Sequence, residues 1–560
     1  MTGFVAKPRL LLFSHICSPN YFTGAEKLLL SFVKEMTHSF ECVLIVPREG
    51  AIARAARLHG IPVDTLDVPL SIAMYVALPH LGNELNELIR SEAWVPLVEL
   101  LLRHRPAYVW TNTCVHPLPA IAAKALGIPV IWALMETINP NSHRGQAASV
   151  VDAYSDRIVG ISHTVLEPIP AETRAAKAFV LSPLLNRDEL LPGTWAANRY
   201  RQRRSHGWGE QHRVAGYIAS TIYPNKGLQE FLEAMLPIAA ADPRVRMLIV
   251  GNSADDGYFG ACRAMVRRAR LEDRVAWVPF AERIEAVYPA MDVVVVPSLL
   301  AEGFGMAALE GMMFGKPVVS FASGGLAEIH EAVGGADFLV QPGDVGGLTA
   351  RAAALLGSDA LRLEVGRRNE QEASRLFGVE AFRSRLAAFV ARLPPPSDGR
   401  LLHSGLVRGS GTAVYWIEHA KRRPFPSDDH FLRLGFRFAD VVRLPDERLL
   451  PMPLGDPMLA GEAPAGNPGL PRQTPADPPA PPAPPAGGAL PRRGRGGARK
   501  GRSRRSGRTR ARLSNRRKIK ARGRSRSKAR AGSRARSRPA RPARRAGSRR
   551  SRAGAKRHRR

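Results

Sequence analysis

Residues 291–325 restrict the possible folds of this chain more than any other segment. An apolar run typical of a buried strand (residues 291–298) is followed by a loop that contains a glutamate and two glycines (residues 301–305). A short amphipathic helix with a second glutamate comes next, and a further apolar run (residues 318–321) completes the unit. This pattern is typical of parallel sheets, in which a helix N-terminus and bare backbone N–H groups face a ligand. It therefore predicts a binding site for a phosphate or diphosphate.

The same alternation of short apolar runs and helical patterns continues along most of the chain. In the first part, strand-like runs occupy residues 10–13, 42–46, 108–111, 129–133 and 157–160. In the second part, they occupy residues 214–218, 246–250, 275–279, 293–297 and 318–321. The patterns predict two Rossmann-like α/β domains, residues 1–190 and 191–393, with a polar interdomain linker around residues 192–212. Because ligands bind at the carboxyl ends of parallel strands, we expect a cleft between the two sheets.

The remainder of the chain differs in composition from these two domains. Residues 399–455 suit a hairpin, a short helix and a terminal strand, which predicts a small appended α+β module. Residues 456–490 are rich in proline, alanine and glycine, which favours a linker with polyproline character. Residues 491–560 contain 33 of the 82 Lys and Arg residues and no Asp or Glu, so the formal charge of +33 resides entirely in this tail. We therefore predict that residues 456–560 are disordered.

Two interpretations of the basic tail stay open. Its positive charge would bind a polyanion, such as nucleic acid or an anionic membrane surface, through neutralisation of phosphates. Residues 491–560 contain no Phe, Tyr or Trp on which bases could stack. Alternatively, the tail is a solvated appendage without a partner, or an out-of-frame extension of GC-rich DNA.

Cysteine usage and hydropathy favour the cytoplasm. The cysteines lie far apart without metal-ligand spacing, and they fit apolar strand or helix patterns: Cys17, Cys42, Cys114 and Cys262. No apolar stretch reaches the roughly 20 residues that a membrane-spanning helix needs, and no signal peptide is evident. We expect a cytoplasmic protein, either free or attached peripherally to the inner face of the membrane. The sequence leaves the oligomeric state open.

The order of motifs between residues 293 and 343 resembles the donor site of family 4 glycosyltransferases. A Pro-Ser pair is followed by Glu-Gly-Phe-Gly, Leu-Glu, Gly-Lys-Pro-Val-Val and Gly-Gly-Leu-Ala-Glu. Two glutamates alone would be weak evidence, whereas the ordered series is specific. The resemblance extends over residues 8–390 and implies the GT-B fold, in which two Rossmann-like domains face each other across a cleft. It also implies a hexosyltransferase-type enzyme that uses a nucleotide sugar donor.

The resemblance assigns donor-binding roles to the central loop and to the helix after it. Glu302 is expected to accept hydrogen bonds from the donor sugar and to face the reacting carbon, and Glu310 is expected to bind the ribose hydroxyls. Gly303, Phe304 and Gly305 would offer backbone N–H groups to the diphosphate, since glycine permits a close approach. From residue chemistry alone, Glu302 would also suit the positive end of a helix dipole, and Glu310 would suit a solvated surface.

Two further segments match donor-site positions of the family. Lys226 matches the lysine that neutralises the diphosphate leaving group, on which negative charge develops during transfer. Five residues earlier, Thr221 stands where the family usually has an arginine, so one cation is missing. In the first domain, Gly24 belongs to a Gly-Ala-Glu segment similar to the family's Gly-Gly-Ala-Glu loop, with Thr23 in place of the first glycine. Gly24 is therefore expected near the diphosphate, although an ordinary strand-to-helix turn would look the same.

The acceptor side departs further from the family pattern. Asn112 ends a strand where many relatives have a histidine, and His116 follows four residues later. His116 is thus a candidate catalytic group within reach of the cleft, with a loop histidine without a role as the alternative. Glu136 matches the acidic member of a histidine–carboxylate pair whose histidine is replaced by Met135. The loss of both histidines leaves the acid–base group undetermined.

The resemblance implies a retaining, metal-independent reaction with no cofactor besides the donor substrate. Asp255 and Asp256 are adjacent in a turn-like segment, and no Asp-x-Asp metal motif stands in a plausible place. No carboxylate is evidently placed as a nucleophile, so front-face transfer to a glycan, lipid or small-molecule acceptor is implied, cell-envelope glycans included. Two alternative hypotheses are a catalytically lapsed GT-B protein that binds a sugar nucleotide or glycan, and a polyanion-binding protein that acts through its tail.

Overall fold

A computed structural model describes residues 7–459 and the backbone of residues 472–473. The predicted basic tail and most of the predicted linker lie outside the described residues. Three sheets follow one another along the described part of the chain. In that part, no helix combines the length and the apolar composition that crossing a membrane requires.

The first sheet has seven parallel strands in the order β3-β2-β1-β4-β5-β6-β7. The strands are β1 (Arg9–Phe13), β2 (Glu41–Val46), β3 (Val63–Thr65), β4 (Tyr108–Asn112), β5 (Val130–Leu134), β6 (Arg157–Gly160) and β7 (Ala178–Val180). The helices of this part are α1 (Gly24–Met36), α2 (Ala51–Leu58), α3 (Ile72–Val76), α4 (Leu81–Arg90), α5 (Trp94–His104), α6 (Pro117–Leu126), α7 (Arg144–Ala153), α8 (His163–Leu166) and α9 (Ala171–Lys177). Every residue of β4 and β5 is buried, because helices cover both faces of a parallel sheet.

The second sheet has six parallel strands in the order β10-β9-β8-β11-β12-β13. The strands are β8 (Arg213–Ile222), β9 (Val245–Ser253), β10 (Val275–Val278), β11 (Val293–Val296), β12 (Val318–Phe321) and β13 (Leu339–Val340). The helices are α10 (Trp195–Ser205), α11 (Leu228–Ala241), α12 (Asp256–Ala269), α13 (Met306–Met313), α14 (Gly325–Ala332), α15 (Val345–Gly357), α16 (Asp359–Phe377) and α17 (Val379–Val390).

The third sheet forms a small module with the strand order β16-β15-β14-β17. Its strands are β14 (Leu402–Arg408), β15 (Val414–Glu418), β16 (Lys421–Pro424) and β17 (Val442–Arg443), and its helices are α18 (Asp428–Arg433) and α19 (Asp446–Leu449). The short strand β18 (Arg472–Gln473) pairs with β14. Strands β14, β15 and β16 are antiparallel, and β17 is parallel to β14. The predicted fold class, two Rossmann-like domains with an appended α+β module, is confirmed.

Helix α10 occupies the segment that the composition favoured as a polar linker. Its Arg203 is 1% exposed, and it donates from Nη2 to Asp292 Oδ2 at 2.6 Å and from Nε to Ala290 O at 3.0 Å. Arg199 donates to the other carboxylate oxygen of Asp292 at 3.1 Å. The segment is therefore a helix anchored to the second domain. The polar sequence did not predict this packing, because an arginine is buried only where a carboxylate distant in sequence compensates its charge.

Helix α17 follows α16 in sequence but packs against the first domain. The ring of Phe382 lies 5.0 Å from that of Phe32, and the ring of Phe389 lies 6.5 Å from that of Trp110. Both phenylalanines of α17 are at most 1% exposed. The sequence assigns residues 378–393 to the second domain, whereas the aromatic side chains of this helix complete the core of the first.

The appended module is also attached to the first domain. Trp94, which is fully buried in α5, donates from Nε1 to His419 O at 2.8 Å. The Lys421 ammonium lies 5.2 Å from the centre of a Trp94 ring. Leu402 and Ile417 of the module belong to the same continuous hydrophobic cluster as the first sheet. The module is thus an extension of the first domain.

Two histidines are withdrawn from solvent inside the main domains. His116 is 2% exposed, and burial, with a smaller contribution from His15, lowers the pKa of His116 to about 3. His330 is 1% exposed, its ring nitrogens contact Ser320 Oγ (3.0 Å) and Gly335 O (3.2 Å), and burial lowers its pKa to about 4. Both imidazoles are therefore neutral in the folded protein near neutral pH.

Replacing the first-domain anchor of α17 should destabilise the protein. Phe389→Ala should lower the free energy of unfolding by about 3–5 kcal/mol, because it leaves a cavity between α17 and Trp110. The measurement is urea unfolding followed by tryptophan fluorescence. Leu363→Ala, on the exposed face of α16 (69% exposed), is the control and should change stability little. A loss below about 1 kcal/mol for Phe389→Ala would contradict the packing described for α17.

Acidification should destabilise the fold through the buried histidines. An unfolded histidine has a pKa of about 6.5, so the unfolded chain takes up protons that folded His116 does not, and stability falls as the pH drops from about 6.5 towards 3. Between pH 7 and pH 5 this amounts to about 2 kcal/mol per buried histidine. The measurement is urea unfolding at both pH values. His116→Leu should reduce the loss of unfolding free energy between pH 7 and pH 5 by about 2 kcal/mol. His80→Leu, at an exposed position, should leave that loss unchanged. An unchanged loss in His116→Leu would show that this imidazole does protonate in the folded state.

Candidate functional site

A cavity of about 790 Å³ lies between the first and second domains, and residues of both domains line it. In each sheet the strand order reverses beside a central strand: β1 lies between β2 and β4, and β8 lies between β9 and β11. Chain segments that leave a sheet at such a point diverge to opposite faces, which opens a crevice for a ligand. The N-terminus of α1 reaches the cavity from the first domain, and the segments after β8 and β11 reach it from the second.

The loop between β11 and α13 is held against both domains. Within the second domain, Gly325 N donates to Glu302 O at 2.8 Å. From the first domain, the Ser162 hydroxyl donates to Gly303 O at 2.6 Å. A Cβ atom on Gly303 would lie only 2.5 Å from the Met135 carbonyl oxygen. Residue 303 must therefore be glycine for the two domains to approach this closely.

Phe304 and Gly305 set the start of α13. Gly305 caps the helix with a φ of 103°, and a Cβ atom there would lie 2.5 Å from the Leu326 side chain. Phe304 is 4% exposed and packs edge to face on Phe377, with 5.5 Å between ring centres. Gly303, Phe304 and Gly305 all line the cavity. Because first-turn N–H groups lack intrahelical acceptors, this helix start is suited to an anionic ligand.

Lys226 and Glu302 form an ion pair on the second-domain side of the cavity. The distance between Lys226 Nζ and Glu302 Oε1 is 2.7 Å. Lys226 ends a single 3-10 turn, Pro224–Lys226. The next residue, Gly227, has a φ of 73°, and a Cβ atom there would collide with Pro297 O. The side chains of Lys226 and Glu302 are 36% and 21% exposed, so a ligand in the cavity has access to both.

Glu310 is bound by two donors that no motif indicated. Lys27 Nζ, on α1 of the first domain, donates to Oε1 at 2.7 Å, and the Tyr288 hydroxyl donates to Oε2 at 2.9 Å. Tyr288 is fully buried, and its ring stacks on that of Phe314 at 5.2 Å. Burial and the nearby charge of Glu310 raise the pKa of Tyr288, so its hydroxyl keeps its proton. In the sequence, only the position of Lys27 directly after the Gly-Ala-Glu segment pointed to a role in the site. No motif pointed to Tyr288.

A capping box fixes the N-terminus of α1. Glu26 N donates to Thr23 Oγ1 at 3.3 Å, and Thr23 N donates to the Glu26 carboxylate at 2.8 Å. Glu26 is fully buried and also accepts a hydrogen bond from Ser18 N at 2.9 Å. Gly24 lines the cavity, and among the described residues no non-neighbouring atom lies within 4 Å of a Cβ atom built on it. The first turn of α1 is therefore rigid and open to a ligand.

Thr221 and Glu136 differ in their access to the cavity. Thr221 pairs with Asn252 near the end of β8 and is absent from the cavity lining, whereas its neighbour Ser220 is part of it. Glu136 lines the cavity and accepts a hydrogen bond from Cys114 N at 2.7 Å. Burial raises the pKa of Glu136, despite the opposing effect of the Cys114 hydrogen bonds. This carboxyl group therefore holds a proton at higher pH than an ordinary glutamate does.

Asn112 and His116 are buried outside the cavity lining. Their side chains are 0% and 2% exposed, and the side-chain nitrogen and oxygen atoms of both lack hydrogen-bond partners within the described residues. Thr113, between them, has a φ of 71°, and Thr111 Oγ1 donates to His116 O at 2.6 Å. This tight turn at the end of β4 folds both side chains inward. Consequently, neither the predicted catalytic histidine nor the predicted acceptor-side asparagine is brought to the cavity.

Four cationic side chains and seven carboxylates line the cavity. Besides the two lysine–glutamate pairs above, Lys34 pairs with Glu189, and Arg283 with Glu285. The full set of carboxylates is Glu35, Glu136, Glu189, Glu282, Glu285, Glu302 and Glu310. Over residues 7–459, no group of three or more His, Cys, Asp and Glu side chains could hold a metal ion. The cavity thus offers many acceptors for ligand hydroxyls and a smaller number of cations for anionic groups.

The sequence of the chain is similar to those of known glycosyltransferases. Residues 212–358 match the model of the family "Glycosyl transferases group 1". The D-inositol 3-phosphate glycosyltransferase of Mycolicibacterium vanbaalenii is 30% identical over 229 residues, which is 38% of this chain and 48% of the relative. The protein of the same name from Mycobacterium sp. (strain JLS) is 28% identical over 297 residues, 51% of this chain and 63% of the relative. The chain therefore covers less than two thirds of these relatives.

Solved structures show the same fold. HepE of Anabaena, crystallised with UDP and glucose, is 21% identical, with a TM-score of 0.56 over 69% of this chain and 100% of HepE. Sucrose-phosphate synthase from Thermosynechococcus elongatus is 17% identical, with a TM-score of 0.53 over 69% of this chain and 99% of the synthase. The resemblance predicted from the motifs is confirmed: the chain has the GT-B fold, and its residues 212–358 match the glycosyl transferases group 1 family.

Proposed function

We propose that the protein is a glycosyltransferase that moves a sugar from a nucleotide diphosphate sugar to a hydroxyl group of a glycan, lipid or small-molecule acceptor. The observation that supports this most directly is the presence of two lysine-bound carboxylates, Glu302 and Glu310, in one cavity beside a helix N-terminus. Sugar and ribose hydroxyls would donate to the carboxylates, and phosphate oxygens would accept from ammonium and backbone N–H groups. A nucleotide sugar combines both kinds of group in one molecule.

The known proteins support the same donor class. HepE was crystallised with UDP and glucose, and the curated relatives are named for a phosphorylated cyclitol acceptor, D-inositol 3-phosphate. By analogy we infer a nucleoside diphosphate sugar as the donor and a polyhydroxylated molecule as the acceptor. An acceptor in the cavity would meet Glu136 on the first-domain side.

The reaction we propose retains the configuration of the donor sugar. Lys226 exchanges its partner Glu302 for the departing diphosphate and stabilises the negative charge that grows there, together with the N-terminus of α13. Glu302 is then free to accept hydrogen bonds from the sugar. The bond between the anomeric carbon and the phosphate oxygen breaks on the face where the acceptor oxygen bonds. The acceptor's proton passes to the departing phosphate.

We further propose that the reaction requires neither a metal ion nor a cofactor. Lys226 and the N-terminus of α13 supply the positive charge that a divalent cation would otherwise provide at the leaving group. We place the reaction in the cytoplasm, with the protein either free or bound peripherally to the inner face of the membrane.

Glu310 should be required for nucleotide binding. A panel of UDP-, GDP- and ADP-sugars should contain a ligand that, at about 100 times its Kd, stabilises the protein by about 2.7 kcal/mol in a thermal shift experiment. Glu310→Gln should weaken that ligand by about 10- to 100-fold, since a hydrogen bond to a charged group contributes about 1.5–3 kcal/mol. Glu380→Gln, whose side chain is 86% exposed, is the matched control and should bind normally. Unchanged affinity in Glu310→Gln would count against the donor site, and binding without turnover would favour a lapsed enzyme.

Transfer should continue without divalent metal and should preserve the anomeric configuration. With the donor found above and a hydroxylated acceptor, the rate in excess EDTA should equal that in magnesium. Proton NMR of the first product should show the anomeric coupling of the donor sugar. A rate that falls on chelation and recovers with added metal would refute the metal-free mechanism. An inverted product would refute front-face transfer.

A further inference from the structure

The ion pair between Lys27 and Glu310 joins the two main domains across the cavity. Lys27 lies in the first turn of α1, and its Nζ is 2.7 Å from Glu310 Oε1 on α13. The two partners are unequally buried: the side chain of Lys27 is 41% exposed, whereas that of Glu310 is 10% exposed. The lysine thus covers the carboxylate from the solvent side, where a ligand in the cavity would approach.

Glu310 does not depend on Lys27 for its position. Tyr288 donates to the other carboxylate oxygen at 2.9 Å, and its ring is fixed by the stack on Phe314, which is tilted by only 9°. Lys27, in contrast, has a flexible four-carbon stem and a partly hydrated ammonium group. Because Lys27 is partly exposed, water can solvate its ammonium when other donors replace it on Glu310, so the exchange leaves neither charge without a partner. Lys27 is the replaceable donor of the two.

A ligand that binds Glu310 in place of Lys27 would release the Lys27 ammonium within the cavity. Under the proposed function, the ribose hydroxyls donate to Glu310 in place of Lys27. The released ammonium then lies in a cavity whose carboxylates outnumber its cations, near a ligand that carries a diphosphate. Its possible partners are water, the carboxylates of the cavity and the diphosphate. Of these, the diphosphate offers the most charge and the most acceptor oxygens.

We infer that Lys27 binds the diphosphate of the donor once the ribose hydroxyls have replaced Lys27 on Glu310. The inference rests on the proposed function and extends it, because it adds a charged side chain of the first domain to the donor site. Lys226 would bind the diphosphate from the second domain, and Lys27 would bind it from the first. The bound diphosphate would thereby link the two domains in the arrangement described above, in which Lys27 of α1 and Glu310 of α13 are in contact.

A purely positioning role for Lys27 makes a different prediction. If Lys27 served only to orient Glu310, its removal would weaken every ligand that contains the ribose, with or without phosphate. If it binds the diphosphate, its removal would weaken only ligands that carry phosphates. The comparison of a nucleoside with its diphosphate therefore separates the two roles.

The test uses the full-length protein and its Lys27→Met variant, with UDP measured by calorimetry and uridine by ligand-observed NMR. GDP and guanosine, or ADP and adenosine, replace them if the donor panel selects that base. Lys27→Met should bind UDP about 10- to 100-fold more weakly than the natural protein does. Uridine affinity should change by less than about threefold or improve, since Glu310 is already free. Retained uridine binding also shows that the variant site is folded.

Two further variants complete the experiment. Lys27→Arg, which keeps the charge, should retain UDP affinity within about threefold. Lys124→Met removes a lysine that pairs with Asp156 at 2.9 Å outside the cavity lining, and it should bind UDP normally. Equal weakening of UDP and uridine, or unchanged UDP affinity, in Lys27→Met would overturn the inference while leaving the proposed function intact. Failure of the natural protein to bind any nucleoside diphosphate would refute the proposed function, and the inference with it.

Discussion

The close approach of Gly303 to the first domain is the constraint on which the rest of the site depends. No side chain fits between this residue and the Met135 carbonyl oxygen, 2.5 Å from where a Cβ atom would lie. Neighbouring polar contacts hold the same interface: Ser162 donates to Gly303 O at 2.6 Å, and Thr164 N donates to Glu328 at 2.7 Å. A larger residue at position 303 would move the domains apart. It would therefore also separate Lys27 from Glu310, which form an ion pair across the cavity. The cavity is therefore a property of the interface and not of either domain alone.

The paired lysines explain how two carboxylates, Glu302 and Glu310, are held in one cavity. A buried carboxylate without a donor is costly, and each lysine–glutamate pair removes that cost while no ligand is bound. The pairs of Lys226 with Glu302 and of Lys27 with Glu310 are partly exposed, so both are exchangeable. A ligand with hydroxyl and phosphate groups can replace each pair by two new interactions, one for the carboxylate and one for the lysine. A purely apolar or purely anionic ligand cannot do this.

The sequence predicted what depends on local pattern and missed what depends on distant partners. Strand runs, glycine turns and the loop around Glu302 are local, so the two parallel sheets were predictable, and the residues of that loop do line the cavity. The donors to Glu310 were not predicted, because Lys27 lies 283 positions from Glu310 in the sequence and Tyr288, only 22 positions away, belongs to no recognised motif. The helix with Arg203 was missed for the same reason. His116 was expected at the cleft because it follows a strand end, but a residue with positive φ, Thr113, turns it inward, and no pattern signals that turn.

The course of the backbone indicates how the two domains are tied together. The chain enters the second domain before α10 and returns to the first at α17, and these two crossings are joined by a hydrogen bond from Leu185 N to Phe377 O at 2.9 Å. Phe377 also packs against Phe304 of the loop between β11 and α13, with 5.5 Å between ring centres. The crossings are covalently continuous, whereas Lys27 and Glu310 meet across the cavity through an ion pair, and Ser162 and Gly303 meet through a single hydrogen bond. A ligand that replaces the ion pair at the cavity therefore alters the polar part of the interface, while the two chain crossings continue to connect the domains.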